Sequence, residues 1–186
     1  MAGTLIYAEV QKGEIKKGAF EIASKAKELG GDVAACVIGK GAEALAPQLA
    51  KYGADKIYVV DGSEYENYVP ETFVQAFVQV AQTVQPSGIL TSASAQGKDF
   101  TPAVAARLNV GAISDCVAVT KEGDKIIAKR PMYAGKAYAM VEAVGNPQVI
   151  SIRPNALGAK EVAGAGAIEK VAVNLDASKI KATVKS

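Results

Sequence analysis

The chain contains no histidine among its 186 residues, and it contains only two cysteines. The absence of histidine removes the side chain that most often serves as a general base or a metal ligand. Two distant cysteines cannot supply the four ligands of a structural zinc site. Cys36 and Cys116 each lie in an apolar run, which favours two buried core thiols in a reducing cytoplasm over a disulfide or a redox pair.

Long apolar runs and a charge excess are also missing. No run approaches the roughly 18–20 apolar residues of a membrane helix. The N-terminus, MAGTLIYAEV, lacks the basic and apolar regions of a signal peptide. The formal net charge of +2 gives no reason to expect nucleic-acid binding. We therefore expect a cytoplasmic protein without membrane insertion, folded as one domain over residues 1–186.

Four continuous apolar runs alternate with amphipathic stretches in the first half of the chain. Such runs are typical of strands that are covered on both faces of a parallel sheet. They are Leu5–Val10, Val33–Ile38, Ile57–Val60 and Gly88–Thr91. The stretches between them predict helices over residues 19–29, 42–49 and 73–84. The order βαβαβαβ predicts right-handed crossovers and a layered α/β fold.

The second half of the chain has a different pattern. Val117–Val119 and Ile126–Ala128 flank a turn sequence and predict a hairpin. An extended run follows over Pro131–Val144, and Gln148–Ile152 predicts a further strand. Two weak strand-like pieces, VAVNL and IKATVK, lie in the tail. We expect a mainly parallel sheet with antiparallel strands added at an edge.

A loop of serine and glycine follows the fourth apolar run and leads directly into a helical pattern. It is not a Walker A motif, because Ser92 stands in place of the first glycine and Asp99 in place of the Mg²⁺-binding hydroxyl. The first strand is not followed by the glycines of a dinucleotide fingerprint either. Ser92 or Ser94 could act as a nucleophile only with Lys98 as its base. None of these chemical motifs is complete.

The pattern therefore predicts that this loop is a strand-to-helix turn at the carboxyl edge of the sheet. Thr101 is predicted as the N-cap and Pro102 as the first helical residue. Gly97 is predicted to take a positive φ. Open α/β sheets bind ligands at this edge, so the polar groups of this loop could contact a ligand or a partner. The candidate residues are Ser92, Ser94, Gln96, Gly97 and Lys98.

Three further basic residues lie near the predicted strand ends. Arg130, Lys136 and Arg153 could each be an interface charge, but a surface role is favoured. No chemistry is assigned to them from the sequence.

Three motifs in order resemble a known family. Residues 94–102 read S-A-Q-G-K-D-F-T-P, followed by A-A-R-L at 105–108. Residues 130–137 read R-P-M-Y-A-G-K-A, and residues 151–155 read S-I-R-P-N. Together they resemble the N-terminal domain of the electron transfer flavoprotein alpha subunit. The resemblance extends from about Leu5 to Val184 and implies a three-layer α/β sandwich of the adenine nucleotide alpha hydrolase type.

The resemblance also implies how a cofactor would be held. In the family, a C-terminal domain with a glycine-rich S-G-G-R-G segment binds most of the FAD, and nothing in residues 1–186 is similar to it. We therefore expect FAD in the full-length protein and none bound tightly to this chain. We expect an excised piece or a breakdown product rather than a shortened natural homologue.

The function implied by the resemblance is that of a scaffold without catalytic residues. The full protein would carry electrons on FAD from flavin dehydrogenases to a quinone reductase or another acceptor. This chain would bind the beta subunit, or self-associate in its absence, and loop 92–98 would face the flavin or the interface. The expected centre of that surface comprises Met132, Tyr133, Tyr138 and Met140, of which at least two are expected to fill the core. The alternative is a stand-alone nucleotide-binding domain of the universal-stress type, which should show a glycine-rich phosphate loop.

Overall fold

A seven-stranded parallel sheet forms the centre of the computed structural model, which describes residues 3–185. The strands are β1 (Thr4–Ala8), β2 (Val10–Gln11), β3 (Glu14–Ile15), β4 (Val33–Ile38), β5 (Lys56–Val60), β6 (Gly88–Ser92), β7 (Ala112–Cys116), β8 (Ala118–Glu122), β9 (Lys125–Met132), β10 (Ala137–Glu142), β11 (Gln148–Ile152) and β12 (Ala167–Lys170). The helices are α1 (Lys17–Glu28), α2 (Ala42–Leu45), α3 (Pro47–Ala50), α4 (Pro70–Val84) and α5 (Ala95–Arg107), with short 3-10 turns at Ser63–Tyr65, Tyr133–Gly135 and Ala177–Lys179.

The strand order of the large sheet is β12-β5-β4-β1-β6-β11-β7, and each pairing is parallel. The predicted fold class is therefore confirmed. The antiparallel strands are present as well, but β8, β9 and β10 pair with one another as a separate three-stranded sheet. This smaller sheet packs against the large one through β9 and β7.

Two hydrophobic layers cover the faces of the large sheet. On one face, α4 and α5 pack against Tyr7 and its neighbours through Phe77 and Phe100. On the other face, α1 and the two short helices bury residues such as Ile6 and Leu90. The buried residues of the three-stranded sheet belong to this second layer. Within residues 3–185, no helix is both long and apolar enough to span a bilayer.

The observed helices and strands differ from the predicted ones where a proline or exposed residues interrupt the apolar pattern. The helix predicted over 42–49 is divided into α2 and α3, because Pro47 starts a new helix and lacks an N–H to continue the old one. Strand β12 was not predicted, since its four residues are all exposed. Both predicted tail strands are wrong: neither residues 171–175 nor residues 180–185 form a strand in the described chain, and Val171, Val173 and Leu175 pack on the α4 side.

Candidate functional site

The topological switch point of the large sheet lies between β1 and β6. The chain proceeds from β1 to β4 and β5 on one side, and from β6 to the outer strand β7 and back to β11 on the other. Ligands of open α/β sheets bind outside the carboxyl ends of the strands at such a point. Glu9 follows β1 there, and residues 93–94 connect the end of β6 to the start of α5, so that the predicted loop 92–98 is largely the first turn of this helix. The crevice between Glu9 and this connection is the first candidate site.

A hydrogen bond between Ser94 and Glu9 closes this crevice. The Ser94 hydroxyl donates to Oε2 of Glu9, and Ser94 Oγ accepts a hydrogen bond from the backbone N–H of Gly97 at 2.9 Å. Glu9 is only 4% exposed. Its carboxyl group lies at the first turn of α5, where the helix dipole favours negative charge. The Ser94 side chain thus takes the Gly97 amide, one of the helix N-terminal groups that would otherwise bind a phosphate.

Ser94 is the N-cap of α5, so the predicted helix start at Thr101 and Pro102 is wrong. Ser94 has an extended backbone, and its side chain satisfies an amide of the first turn. Pro102 lies inside the helix, where the Thr101 hydroxyl donates to the carbonyl oxygen of Gly97 at 2.6 Å. The local sequence is compatible with a helix start at either Ser94 or Thr101. The start at Ser94 is stabilised by Glu9, which follows the distant strand β1.

Gly97 is required by close packing and not by its backbone dihedral angle. Its φ lies outside the left-handed region, so the predicted positive φ is wrong. A Cβ at Gly97 would overlap the carbonyl oxygen of Ser92, and a Cβ at Gly18 would lie 2.6 Å from Ser92 Oγ. Ser92 is therefore buried between two glycines, which allow α1 and α5 to approach the end of β6.

Gln96 joins α5 to β1 through Tyr7. Its Nε2 donates to the Tyr7 hydroxyl oxygen at 2.7 Å, and the Tyr7 ring stacks on Phe100 with centroids 4.1 Å apart. Burial, and then the nearby Glu9 carboxylate, raise the pKa of Tyr7 well above its ordinary value. The phenol is neutral at physiological pH. The Gln96 amide makes its hydrogen bond to this phenol, within the protein itself.

Further acidic groups lie beside the switch point. The Tyr68 hydroxyl donates to Oδ2 of Asp99 at 2.7 Å. Burial raises the pKa of Tyr68, and the hydrogen bond to Asp99 and the charges of Glu9 and Glu71 add to this shift. A cleft of about 560 Å³ adjoins these groups and is lined in part by Tyr68 and Gln96. The charged residues that line the cleft itself are Lys12, Lys40 and Glu66, whereas Glu9, Asp99 and Glu71 lie outside its lining.

Lys98 differs from the other four predicted loop residues because it is exposed. Its charge acts on Asp115, at the end of β7. The Arg153 guanidinium donates to Asp115 from Nη2 at 2.6 Å and from Nε at 3.1 Å. The hydrogen bond from Arg153 holds the pKa of Asp115 below its usual range, and the charges of Lys98 and Arg130 contribute to this shift.

A second candidate site is the outward face of the three-stranded sheet. We use this name for Ile127, Lys129, Pro131, Tyr138 and Met140, because the cross-strand pairs Tyr138–Pro131 and Met140–Lys129 place these side chains on one side. Their strand neighbours Ile126 and Ala128 are buried on the other side. Tyr138 is 56% exposed and Met140 is 62% exposed.

The prediction that at least two of the four selected residues fill the core is wrong. Tyr133, Tyr138 and Met140 are exposed, and Met132 is half-buried. The alternation of exposed and half-buried residues along β10 shows why: this strand has solvent on one face and at its free edge.

The two cysteines are free and buried, as predicted. Burial raises the pKa of the Cys36 thiol and raises that of Cys116 to about 11. In the part of the chain that the structure describes, no group of three or more carboxylates and thiols could hold a metal ion. The two cysteines therefore act as buried packing residues of the fold.

Sequence reasoning missed Glu9 and Asp115. Glu9 was included in an apolar strand run, although a charged residue inside such a run is itself a signal. Asp115 gives no local signal: its importance depends on a φ of +60° and on Arg153, which lies 38 positions later.

Comparison with known proteins gives consistent matches. The family profile of the electron transfer flavoprotein domain matches residues 4–176. The chain is 42% identical over 186 residues to the electron transfer flavoprotein subunit alpha of Syntrophomonas wolfei, covering 100% of this chain and 59% of that protein. The corresponding subunit of Bacillus subtilis is 31% identical over 175 residues, with coverages of 92% and 54%. Subunit LctC of the lactate dehydrogenase (NAD(+),ferredoxin) of Acetobacterium woodii is 32% identical over 165 residues, with coverages of 86% and 40%. The chain thus spans little more than half the length of the two alpha subunits.

Proposed function

Because this chain belongs to the electron transfer flavoprotein family, we propose that it is the N-terminal scaffold of an alpha subunit and that it binds the beta subunit. The whole protein would carry electrons on FAD from flavin dehydrogenases to a quinone reductase or another acceptor, in the cytoplasm. The chain itself would perform no covalent step.

The outward face of the three-stranded sheet is the observation that carries this proposal. Aromatic residues and methionine are enriched at the centres of protein interfaces, and here Tyr138 and Met140 are both exposed. Strand β10 also has an edge that no strand of residues 3–185 pairs with, and such an edge can add a strand from another chain. By contrast, the outer strand β12 of the large sheet is short and carries Glu169 and Lys170, which discourage such pairing.

The switch point does not fit the pyrophosphate of FAD. The buried Glu9 carboxyl group is hydrogen-bonded to Ser94, the N-cap of α5, and Asp99 and Glu71 add negative charge nearby. We therefore propose that other parts of the protein hold the FAD. The segment 92–98, from the end of β6 to the first turn of α5, would instead support the fold through Ser92, Ser94, Gln96 and Gly97, and would present Lys98 to a partner.

The same geometry gives no support to the universal-stress alternative, which requires nucleotide binding. Titration calorimetry with ATP should detect no binding, and the chain purified with excess FAD and then freed of unbound ligand should show no flavin absorbance. Stoichiometric ATP binding would favour the alternative, and a stoichiometric flavin band would contradict the assignment of FAD to other parts of the protein.

The main experiment mixes the chain with its cognate beta subunit and follows complex formation by sedimentation velocity. We expect a heterodimer, or self-association through the same face when the beta subunit is absent. The double variant Tyr138→Ser/Met140→Ser should abolish heterodimer formation and self-association without changing the unfolding midpoint. Val184→Ser, which removes an equally exposed apolar side chain from the tail, is the matched control. No complex at tens of micromolar with both partners folded would refute the proposal.

A further inference from the structure

The charges of three cations act on Asp115 at the carboxyl edge of the large sheet. We call Lys98, Arg130 and Arg153 the basic cluster. Arg153 follows β11 and binds Asp115 with two hydrogen bonds of 2.6 and 3.1 Å. Lys98, in the first turn of α5, and Arg130, in β9, are close enough for their charges to lower the pKa of Asp115. The strands β6, β11 and β7 are neighbours, which brings these groups together.

The position of Asp115 is fixed by its backbone. Its φ is +60°, a conformation that non-glycine residues seldom adopt. Its N–H donates to Ser151 Oγ at 3.1 Å, and the N–H of Arg153 donates to the carbonyl oxygen of Cys116 at 2.8 Å. The ladder between β7 and β11 shifts register at this point. Asp115 and Arg153 are therefore held together by main-chain contacts as well as by their charges.

The single carboxylate of Asp115 does not neutralise the cluster. Arg153 is its ion-pair partner, whereas neither Lys98 nor Arg130 makes an ion pair within residues 3–185. Lys98 is exposed and Arg130 is half-buried. Positive charge is thus left over on an open surface of a protein whose formal net charge is only +2.

The basic cluster adjoins the outward face of the three-stranded sheet. Arg130 pairs with Ala139 of β10, and its neighbour Lys129 places Nζ 4.3 Å from the ring centroid of Tyr138. The charge of Arg153 also interacts with Tyr138. Residues 129–140 contain three basic residues and no acidic one. Because side chains alternate along β9, Arg130 lies on the opposite side of the strand from Lys129, and the cluster meets the outward face through Arg153 and Tyr138.

We infer that the basic cluster receives Asp and Glu side chains of the beta subunit when that subunit covers the outward face. This inference rests on the proposed function and specifies which charged residues take part in binding the beta subunit. Guanidinium groups suit carboxylates, and a surface of one charge sign attracts its complement over long distances and sets its orientation. The neighbouring Tyr138 and Met140 supply apolar contact area of the kind that a protein partner buries.

The test measures the affinity of the chain for the cognate beta subunit at ionic strengths of about 0.01 M and about 0.15 M. The variants are Lys98→Glu and Arg130→Gln, alone and combined. The control is Lys181→Glu, which changes the same charge in the exposed tail just after Lys179, a segment that contacts α4 through Asp176 and Gln75. Circular dichroism confirms that each variant is folded, and exposed Lys98 provides a test that is independent of any effect of Arg130 on folding.

We expect Lys98→Glu to weaken binding about tenfold at the lower ionic strength, chiefly by slowing association. The double variant should weaken binding further and lose much of the salt dependence, whereas Lys181→Glu should stay within about twofold of the wild type. If the wild type binds and the cluster variants bind equally tightly with the same salt dependence, this inference is overturned and the proposed function stands. If the wild type does not bind at all, both are overturned.

Discussion

Ser94 donates a hydrogen bond to the carboxyl group of Glu9, a residue 85 positions earlier in the chain. The bond joins the end of β1 to the start of α5 across the switch point of the sheet. The same serine caps the helix by accepting the N–H of Gly97. One hydroxyl group therefore satisfies an amide of the helix and a nearly buried carboxyl group together.

Ser94→Ala should lower the free energy of unfolding by about 2–4 kcal/mol, because it removes a helix cap and leaves a buried carboxyl group without its donor. Ser94→Thr, which retains the hydroxyl, should cost less. Urea unfolding at pH 7 measures both. Ser63→Ala, at an exposed 3-10 turn, is the control and should stay within about 0.5 kcal/mol. An unchanged midpoint in Ser94→Ala would show that the bond to Glu9 contributes nothing.

Gly97→Ala should destabilise the protein by about 1–3 kcal/mol, because the added Cβ overlaps the backbone of Ser92 and the helix must shift away from β6. Gly111→Ala is a matched control, since a Cβ there meets no atom within 4 Å and its φ is not positive. Chemical unfolding of the two variants should separate them clearly. Equal midpoints would contradict the close approach of α5 to β6.

Asp55 should make stability depend on pH. Burial opposes its ionisation, but the hydrogen bonds from Lys27 Nζ, at 2.8 and 2.9 Å, and from the N–H of Val33 outweigh burial and lower its pKa. The resulting stabilisation is present above the unfolded pKa of about 3.9 and is lost as pH falls through the lower folded pKa.

Asp55→Asn should therefore cost about 1–3 kcal/mol at pH 7 and progressively less below about pH 4. Asp124→Asn, in the exposed β8–β9 turn, is the control and should show no such trend. Unfolding free energies measured from pH 7 down to pH 3 test this. A difference that stays constant over that range would mean that the charge of Asp55 is not involved.

The two thiols should react slowly in the native protein. Burial raises the pKa of both, so little thiolate is present at pH 8, and Cys36 should react more slowly than Cys116. Titration with a chromogenic disulfide should count two thiols after denaturation without reductant. Rapid native reaction of Cys36 would show that the sheet opens near the middle of β4.

The first half of the fold was predictable because its strands are apolar along their whole length and its helices have one apolar face. Val33–Ile38 and Phe73–Val84 are examples in which local pattern and tertiary burial agree. The sequence also predicted a strand-to-helix connection after β6, but it extended the loop over residues that form the first turn of α5. It could not show that Ser94 rather than Thr101 begins the helix, because that choice depends on Glu9.

Elements that depend on distant partners were less predictable. Asp115 makes β7 look like a loop, since a charged residue in a left-handed conformation is not part of any strand pattern. Tyr138 and Met140 were expected in part as core residues because hydrophobic side chains usually are. Only the position of β10 at the free edge of its sheet shows that they are exposed.

Strand β12 pairs Ala167 with Lys56, which lies 111 positions earlier in the chain. Closing so long a loop is entropically costly, and the strand buries none of its four residues in return. Its template, β5, must already be in place before it can form. Among the strands of the large sheet, β12 should therefore join last during folding, and its amide protons should be the first to exchange with solvent.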